Sequence, residues 1–225
     1  VIVSNPTARH LDVAIPAAAA GYSLLLEKPI SHTLDGIPEL LKAVQYGGGQ
    51  VLVGYQFRYH PGLIKIVELL AVSAIGKPLS VHCHWGEYLP GWHPWEDYRQ
   101  GYSARSALGG GVLLTLSHPL DYLRWLLGEA SVLSASLRHL SDLEMDVEDS
   151  AEICMEFSQG CLGSLHLDYF QRPTQHTLEI IGSSGTLRWD NADGSVLLQK
   201  IDPLGAALEK RSFLPPAGFS RNDLF

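Results

Sequence analysis

Apolar residues fall into two textures along this 225-residue chain. Up to about residue 60, short unbroken apolar runs alternate with helical spacings. Val1 to Ser4 reads as a strand, Thr7 to Ala20 as a helix closed by Gly21, and Ser23 to Leu26 as a second strand. A further helix starts at Ser31 or Thr33, runs through Ile37, Leu40, Leu41 and Val44, and stops at Gly47-Gly48-Gly49 before a third strand, Gln50 to Gln56. This alternation predicts parallel β-α-β units. Val51-Leu52-Val53 lacks polar alternation, which predicts a strand covered by helices on both faces.

After Pro61 the spacing changes. Leu63, Ile66, Val67 and Leu70 mark an amphipathic helix, and Leu79 to Trp85 a strand. Glu87 to Gly111 is crowded with Trp, Tyr, Pro and Gly, and a loop of that length in a compact domain usually has a functional reason. A helix from about His118 to Leu127 leads into strands of period two, clearest where Ile153, Met155 and Phe157 alternate with Glu152, Cys154 and Glu156. Ser183-Ser184-Gly185 and Asn191 to Gly194 are turn signals between them. The fold class is therefore α/β followed by α+β: a partial parallel sheet over 1–60, then a domain over 61–225 with a large, mostly antiparallel sheet. Three parallel strands with no glycine-rich turn after the first read as half of a dinucleotide fold, so the other half is expected upstream. At the far end, Ser220-Arg221-Asn222-Asp223 reads as a capped helix start that reaches Phe225.

Charge and cysteine content narrow the partners. The formal charge of −8 comes from 24 acids against 16 bases, with no basic run to track a phosphate backbone or an anionic bilayer, so neither nucleic acid nor membrane is an expected partner. Cys83, Cys154 and Cys161 form no CxxC pair and leave one over, which fits a reducing compartment; cytoplasm is the expectation.

Three segments hold candidate chemistry. Glu27-Lys28-Pro29 follows a strand at the carboxyl edge of the parallel sheet, where open α/β folds bind ligands; read alone it is equally a surface ion pair before a turn proline. Gly54 to Pro61 closes the next strand at the same edge with Gln56 and Arg58 among aromatics, as a site or as a solvated linker. Gly109-Gly110-Gly111 precedes His118 and Asp121, which lie three apart on a helix, so the carboxylate can orient the imidazole for proton transfer or simply stabilise the helix start. Trp85, Tyr88, Trp92 and Trp95 suit a sugar ring or a loop core, and Arg99 and Arg105 a substrate anion or plain solvent. His82 and His84 share a strand face, but the sequence places no third ligand beside them, and no metal is expected.

Taken together in this order, these motifs resemble the Gfo/Idh/MocA oxidoreductases over the whole chain. The family's turn after its fourth Rossmann strand is matched by Ser4-Asn5-Pro6 with His10, its lysine motif by Glu27-Lys28-Pro29, and its glycine, His and Asp segment by Gly109 to Asp121. Where many members carry an aspartate four residues after the glycine triplet, this chain has Thr115. The resemblance implies a Rossmann domain over 1–60, a substrate and oligomerisation domain over 61–225, and NAD or NADP as cofactor. It implies Lys28, His118 and Asp121 as catalytic residues. Asn5, Pro6, His10, Glu27, Lys28, Pro29, Gln56 and Arg58 would line the cofactor, and Trp85, Tyr88, Arg105, Thr115 and His118 a carbohydrate-like substrate. The implied reaction moves a hydride between a CH–OH group of a sugar, polyol or sugar nucleotide and NAD(P), in a homodimer or homotetramer joined through the C-terminal sheet. Two other functions fit the same scaffold: a non-catalytic ligand-binding regulator and an NAD-assisted glycoside hydrolase. The 225 residues alone are expected to be inactive, since the turn that cradles the pyrophosphate is not among them.

Overall fold

The computed structural model describes residues 1–224 and divides into two compact units. The first comprises Val1–Tyr55, Leu89–Ser117 and His139–Asp149; the second comprises Gln56–Tyr88, His118–Arg138 and the chain from Ser150 onward. Among the described residues no helix is long and apolar enough to cross a membrane.

In the first unit, strands β1 (Ile2–Val3), β2 (Leu24–Leu26) and β3 (Val51–Val53) pair in parallel in that order. Helices α1 (His10–Ala19) and α2 (Ile37–Gly47) connect them. Val3, Leu24 and Leu26 pack with Ala14 and Ala18 of α1 and with Leu40 and Ala43 of α2 in one buried cluster. Among the described residues both connecting helices feed that one cluster. Ile2, Leu25 and Leu52, which are cross-strand neighbours, stay 71%, 40% and 60% exposed on the other face. The start of α2 is later than Ser31 or Thr33. Gly36 occupies the N-cap with φ 79°, a left-handed conformation that suits glycine, and Pro38 follows in the first turn, where its missing N–H costs no helical hydrogen bond. Gly48, at φ 74°, closes the helix by donating its N–H to the Val44 carbonyl.

The segment from Leu89 to Leu108 folds down through short 3₁₀ turns and ends at helix α4 (Val112–Thr115). The glycine triplet before α4 is dictated by close approach. A Cβ on Gly109 would lie 2.9 Å from the Ala8 nitrogen, one on Gly110 2.3 Å from the Tyr102 carbonyl oxygen, and one on Gly111 2.4 Å from the Glu148 carboxylate.

In the second unit, helix α3 (Pro61–Ala71) precedes β4 (Pro78–Gly86), and helix α5 (His118–Leu127) precedes β5 (Ala130–Arg138). Strands β6 (Ser150–Phe157), β7 (Leu162–Asp168), β8 (Gln175–Gly182), β9 (Gly185–Asp190), β10 (Val196–Ile201) and β11 (Ala207–Phe213) follow. The eight strands lie in the order β11-β10-β9-β8-β4-β7-β6-β5, antiparallel throughout except for the parallel pair β4–β7. Period-two patterning holds: Val81, Cys83 and Trp85 of β4, Ile153, Met155 and Phe157 of β6, and Leu178 and Ile180 of β8 are buried. Their alternates, including His82, His84, Glu152, His166 and Glu179, line the opposite face. On the inner face Trp85, Tyr122, Trp189 and Phe57 form an aromatic core around His176, whose ring stacks 4.0 Å from that of Trp85. His60 caps α3, its Nδ1 accepting the Gly62 N–H at 3.0 Å. At the C-terminus the capped segment forms a single 3₁₀ turn, Arg221–Leu224, and Phe225 lies outside the described residues.

Candidate active site

Each unit holds one set of the candidate residues. In the first, the turns after β1 and β2 meet at the carboxyl edge of the parallel sheet. His10 joins them: its Nε2 lies 2.9 Å from the Asn5 carbonyl oxygen and its Nδ1 2.9 Å from that of Pro29, with the ring 1% exposed. His10 is therefore a clamp between two loops, with both ring nitrogens turned to backbone. Asn5 donates its side-chain amide to the Arg9 carbonyl at 2.9 Å, which orders the turn that begins at Pro6. Its Oδ1 is buried and has no hydrogen-bond partner among the described residues.

Lys28 leaves this edge just after β2, through a cis bond to Pro29, and donates from Nζ to the carbonyl oxygen of Thr115 at the end of α4. The ammonium thus has a fixed direction. Glu27 lies beside Gly54 at the end of β3, where a Cβ would stand 3.3 Å from Glu27 Oε2, so glycine there makes room for the carboxylate. Glu148, which carried no sequence signal, accepts the Leu113 N–H at 3.2 Å and fixes the start of α4. Arg105 is exposed in this unit.

In the second unit, His118 opens α5 and is 2% exposed. Its ring packs 4.8 Å from that of Phe57 and 6.0 Å from that of Trp85. Asp121, expected to orient His118, has both oxygens engaged by Arg58: Nε donates to Oδ2 at 2.8 Å and Nη2 to Oδ1 at 2.7 Å. This bidentate pair ties the 3₁₀ turn Gln56–Tyr59 to α5 and so fixes the turn that carries Gln56. Gln56 Oε1 is a buried acceptor with no partner among the described residues. Trp85 is 1% exposed, with its face against His176 and its Nε1 donating to Glu87 at 2.7 Å, so it is a core residue of the sheet. The Tyr88 ring lies 4.2 Å from the Arg172 guanidinium.

A family model described as the GFO/IDH/MocA C-terminal domain matches residues 63–188. An uncharacterized oxidoreductase of Synechocystis sp. is 32% identical over 200 residues, covering 83% of this chain and 53% of that protein. Inositol 2-dehydrogenase 3 of Saccharopolyspora erythraea is 26% identical over 202 residues, covering 84% of this chain and 53% of that protein. Among solved structures, levoglucosan dehydrogenase in complex with NADH superposes with a TM-score of 0.87 at 20% identity, over 99% of this chain and 66% of that one. The chain spans about half the length of the curated relatives it matches.

Proposed function

Because the chain belongs to the Gfo/Idh/MocA family of oxidoreductases, we propose that the protein is an NAD(P)-dependent dehydrogenase or reductase acting on a CH–OH group of a sugar, polyol or sugar nucleotide. The observation that carries this reading is the directed ammonium of Lys28 at the carboxyl edge of the parallel sheet, held on the carbonyl of Thr115, three positions before His118 in the chain. Relatives named for inositol and levoglucosan dehydrogenation support the substrate class.

The edge residues fit a nicotinamide dinucleotide. Asn5 Oδ1 in the first unit and Gln56 Oε1 in the second are each a buried acceptor without a partner among the described residues, the kind of group that amide and hydroxyl donors of a ligand satisfy. Asn5, Pro6, Glu27, Lys28, Pro29, Gln56 and Arg58 would hold it, with His10 shaping the two loops. When bound, NAD(P) supplies the hydride acceptor or donor. Lys28 donates a hydrogen bond to the reacting oxygen and stabilises negative charge that develops there. His118 takes the hydroxyl proton in oxidation and returns it in reduction, while Asp121 and Arg58 hold the start of α5 in place. Thr115 and Arg105 face substrate in this reading, and the outer face of the eight-stranded sheet carries homodimer or homotetramer assembly.

The test is a nicotinamide-absorbance assay of the full-length protein over inositols, anhydro sugars and free hexoses with each cofactor. Turnover of at least one member of these classes is expected. No nicotinamide reduction or oxidation with any of them would remove the proposal.

A further inference from the structure

The outer face of the eight-stranded sheet carries a cluster that the proposed hydride chemistry does not use. His84 of β4 is the register partner of His166 of β7, and Asp168 lies two residues further along β7. One ligating atom from each of the three lies within 4.8 Å of the others. The sequence pairing of His82 with His84 pointed elsewhere, because the cluster is assembled across strands.

Two of the three side chains are held in place by hydrogen bonds. Asp168 is fully buried, and its Oδ1 accepts the backbone N–H groups of Phe170 and Gln171 at 2.8 and 2.6 Å. That leaves Oδ2 between two imidazoles, 2.9 Å from His166 Nε2 and 3.9 Å from His84 Nε2. The carboxylate fits because residue 86 is glycine: a Cβ there would stand 2.3 Å from Oδ2. The two rings stack 4.6 Å apart. His84 Nε2 is buried and has no hydrogen-bond partner among the described residues. On the far side of the His166 ring, Nδ1 lies 2.5 Å from Glu152 Oε1. A carboxylate on one imidazole nitrogen fixes the tautomer and turns the lone pair of the other toward a metal, an arrangement that recurs behind histidine ligands.

Two imidazole nitrogens and one carboxylate oxygen are the donors that late first-row divalent ions select, whereas calcium and magnesium require mostly oxygen. Ligand bonds of ~2.0–2.2 Å in a tetrahedron place donors roughly 3.3 Å apart, so closing the cluster needs shifts of about an ångström. His84, 31% exposed in the single chain and hydrogen-bonded to Gln171, is the ligand that would turn to close it. We propose that His84, His166 and Asp168 form a binding site for a divalent transition-metal ion of the zinc class, with Glu152 orienting His166 and a fourth position facing the groove beside His82, Ser164 and Thr177, on the sheet face that the proposed assembly uses, where water or a partner subunit completes it. The competing occupant is a proton, which would leave His166 as an imidazolium between Glu152 and Asp168.

Chelator-stripped, purified full-length protein titrated with Zn²⁺ against a chromophoric competitor, and separately with Co²⁺ by visible absorption, distinguishes the two. One equivalent of Zn²⁺ per chain and an intense tetrahedral Co²⁺ spectrum are expected. His84→Ala and His166→Ala should each weaken binding by at least ~10-fold, with the Co²⁺ spectrum lost and circular dichroism unchanged. Lys28→Ala should bind the metal like wild type, so the site stands or falls independently of the hydride chemistry. Absence of a protein-dependent Co²⁺ spectrum, or an affinity unchanged in His84→Ala, would overturn the site in favour of the proton or of adventitious binding.

Discussion

Replacing Lys28 by alanine, or His118 by alanine, in the full-length protein is expected to lower kcat by ~10²–10⁴-fold while leaving the fold intact, the range typical of a positioned acid or base. The two substitutions remove different things. Lys28→Ala deletes an ammonium fixed on the Thr115 carbonyl, and with it a hydrogen bond to the reacting oxygen. His118→Ala deletes the proton acceptor at the start of α5 and leaves a gap beside Phe57 and Trp85, so its circular dichroism and unfolding midpoint must be read alongside its rate. His118→Asn keeps much of the volume without a titratable nitrogen and should be nearly as slow. Rates within a few fold of wild type in Lys28→Ala would contradict the assigned role.

Acidification is expected to remove about 3 kcal/mol of stability through one side chain, His60. Burial pulls its imidazole down from the ordinary 6.5 to about 4. The geometry agrees in sign. Nδ1 must keep its lone pair to accept the Gly62 N–H, and the rings of Phe57, Trp189 and Phe219 around it offer no counter-charge. A folded value below the unfolded one means that the unfolded chain binds the proton first. The contribution is complete above pH 6.5 and is lost as pH falls toward 4. In metal-free protein His166 acts in the opposite direction, since hydrogen bonds to Asp168 and Glu152 raise its value and favour the folded state at lower pH. The readout is therefore the difference between wild type and His60→Asn, which keeps a capping acceptor but does not titrate. Urea unfolding across this range should show the variant losing about 3 kcal/mol less than wild type; parallel profiles would count against the neutral, capping His60.

What was legible in the sequence follows the reach of the interactions. The period-two strands from β6 to β9, the helix at His118–Leu127 and the strand-helix alternation of the first fifty residues depend on neighbours a few positions apart, and the structure shows them. The late start of α2 was not legible, because Ser31 and Thr33 are good caps and only the left-handed Gly36 with Pro38 decides the matter. Contacts that cross the chain left no pattern: Lys28 to Thr115 spans 87 positions, Arg58 to Asp121 spans 63, and the His84 cluster depends on the β4–β7 register. The glycine triplet was visible as a motif, but its physical cause, the close approach of Ala8, Tyr102 and Glu148, needed coordinates.

The fate of one hydrogen tests the central claim most directly. A polyol or sugar that the full-length protein turns over, deuterated at the reacting carbinol carbon, should pass one deuterium per turnover to C4 of the nicotinamide, recovered in the isolated NADH or NADPH by mass spectrometry, and should react more slowly when that transfer limits the rate. Deuterium retained in the product, or exchanged into water with no label on the nicotinamide, would contradict the account.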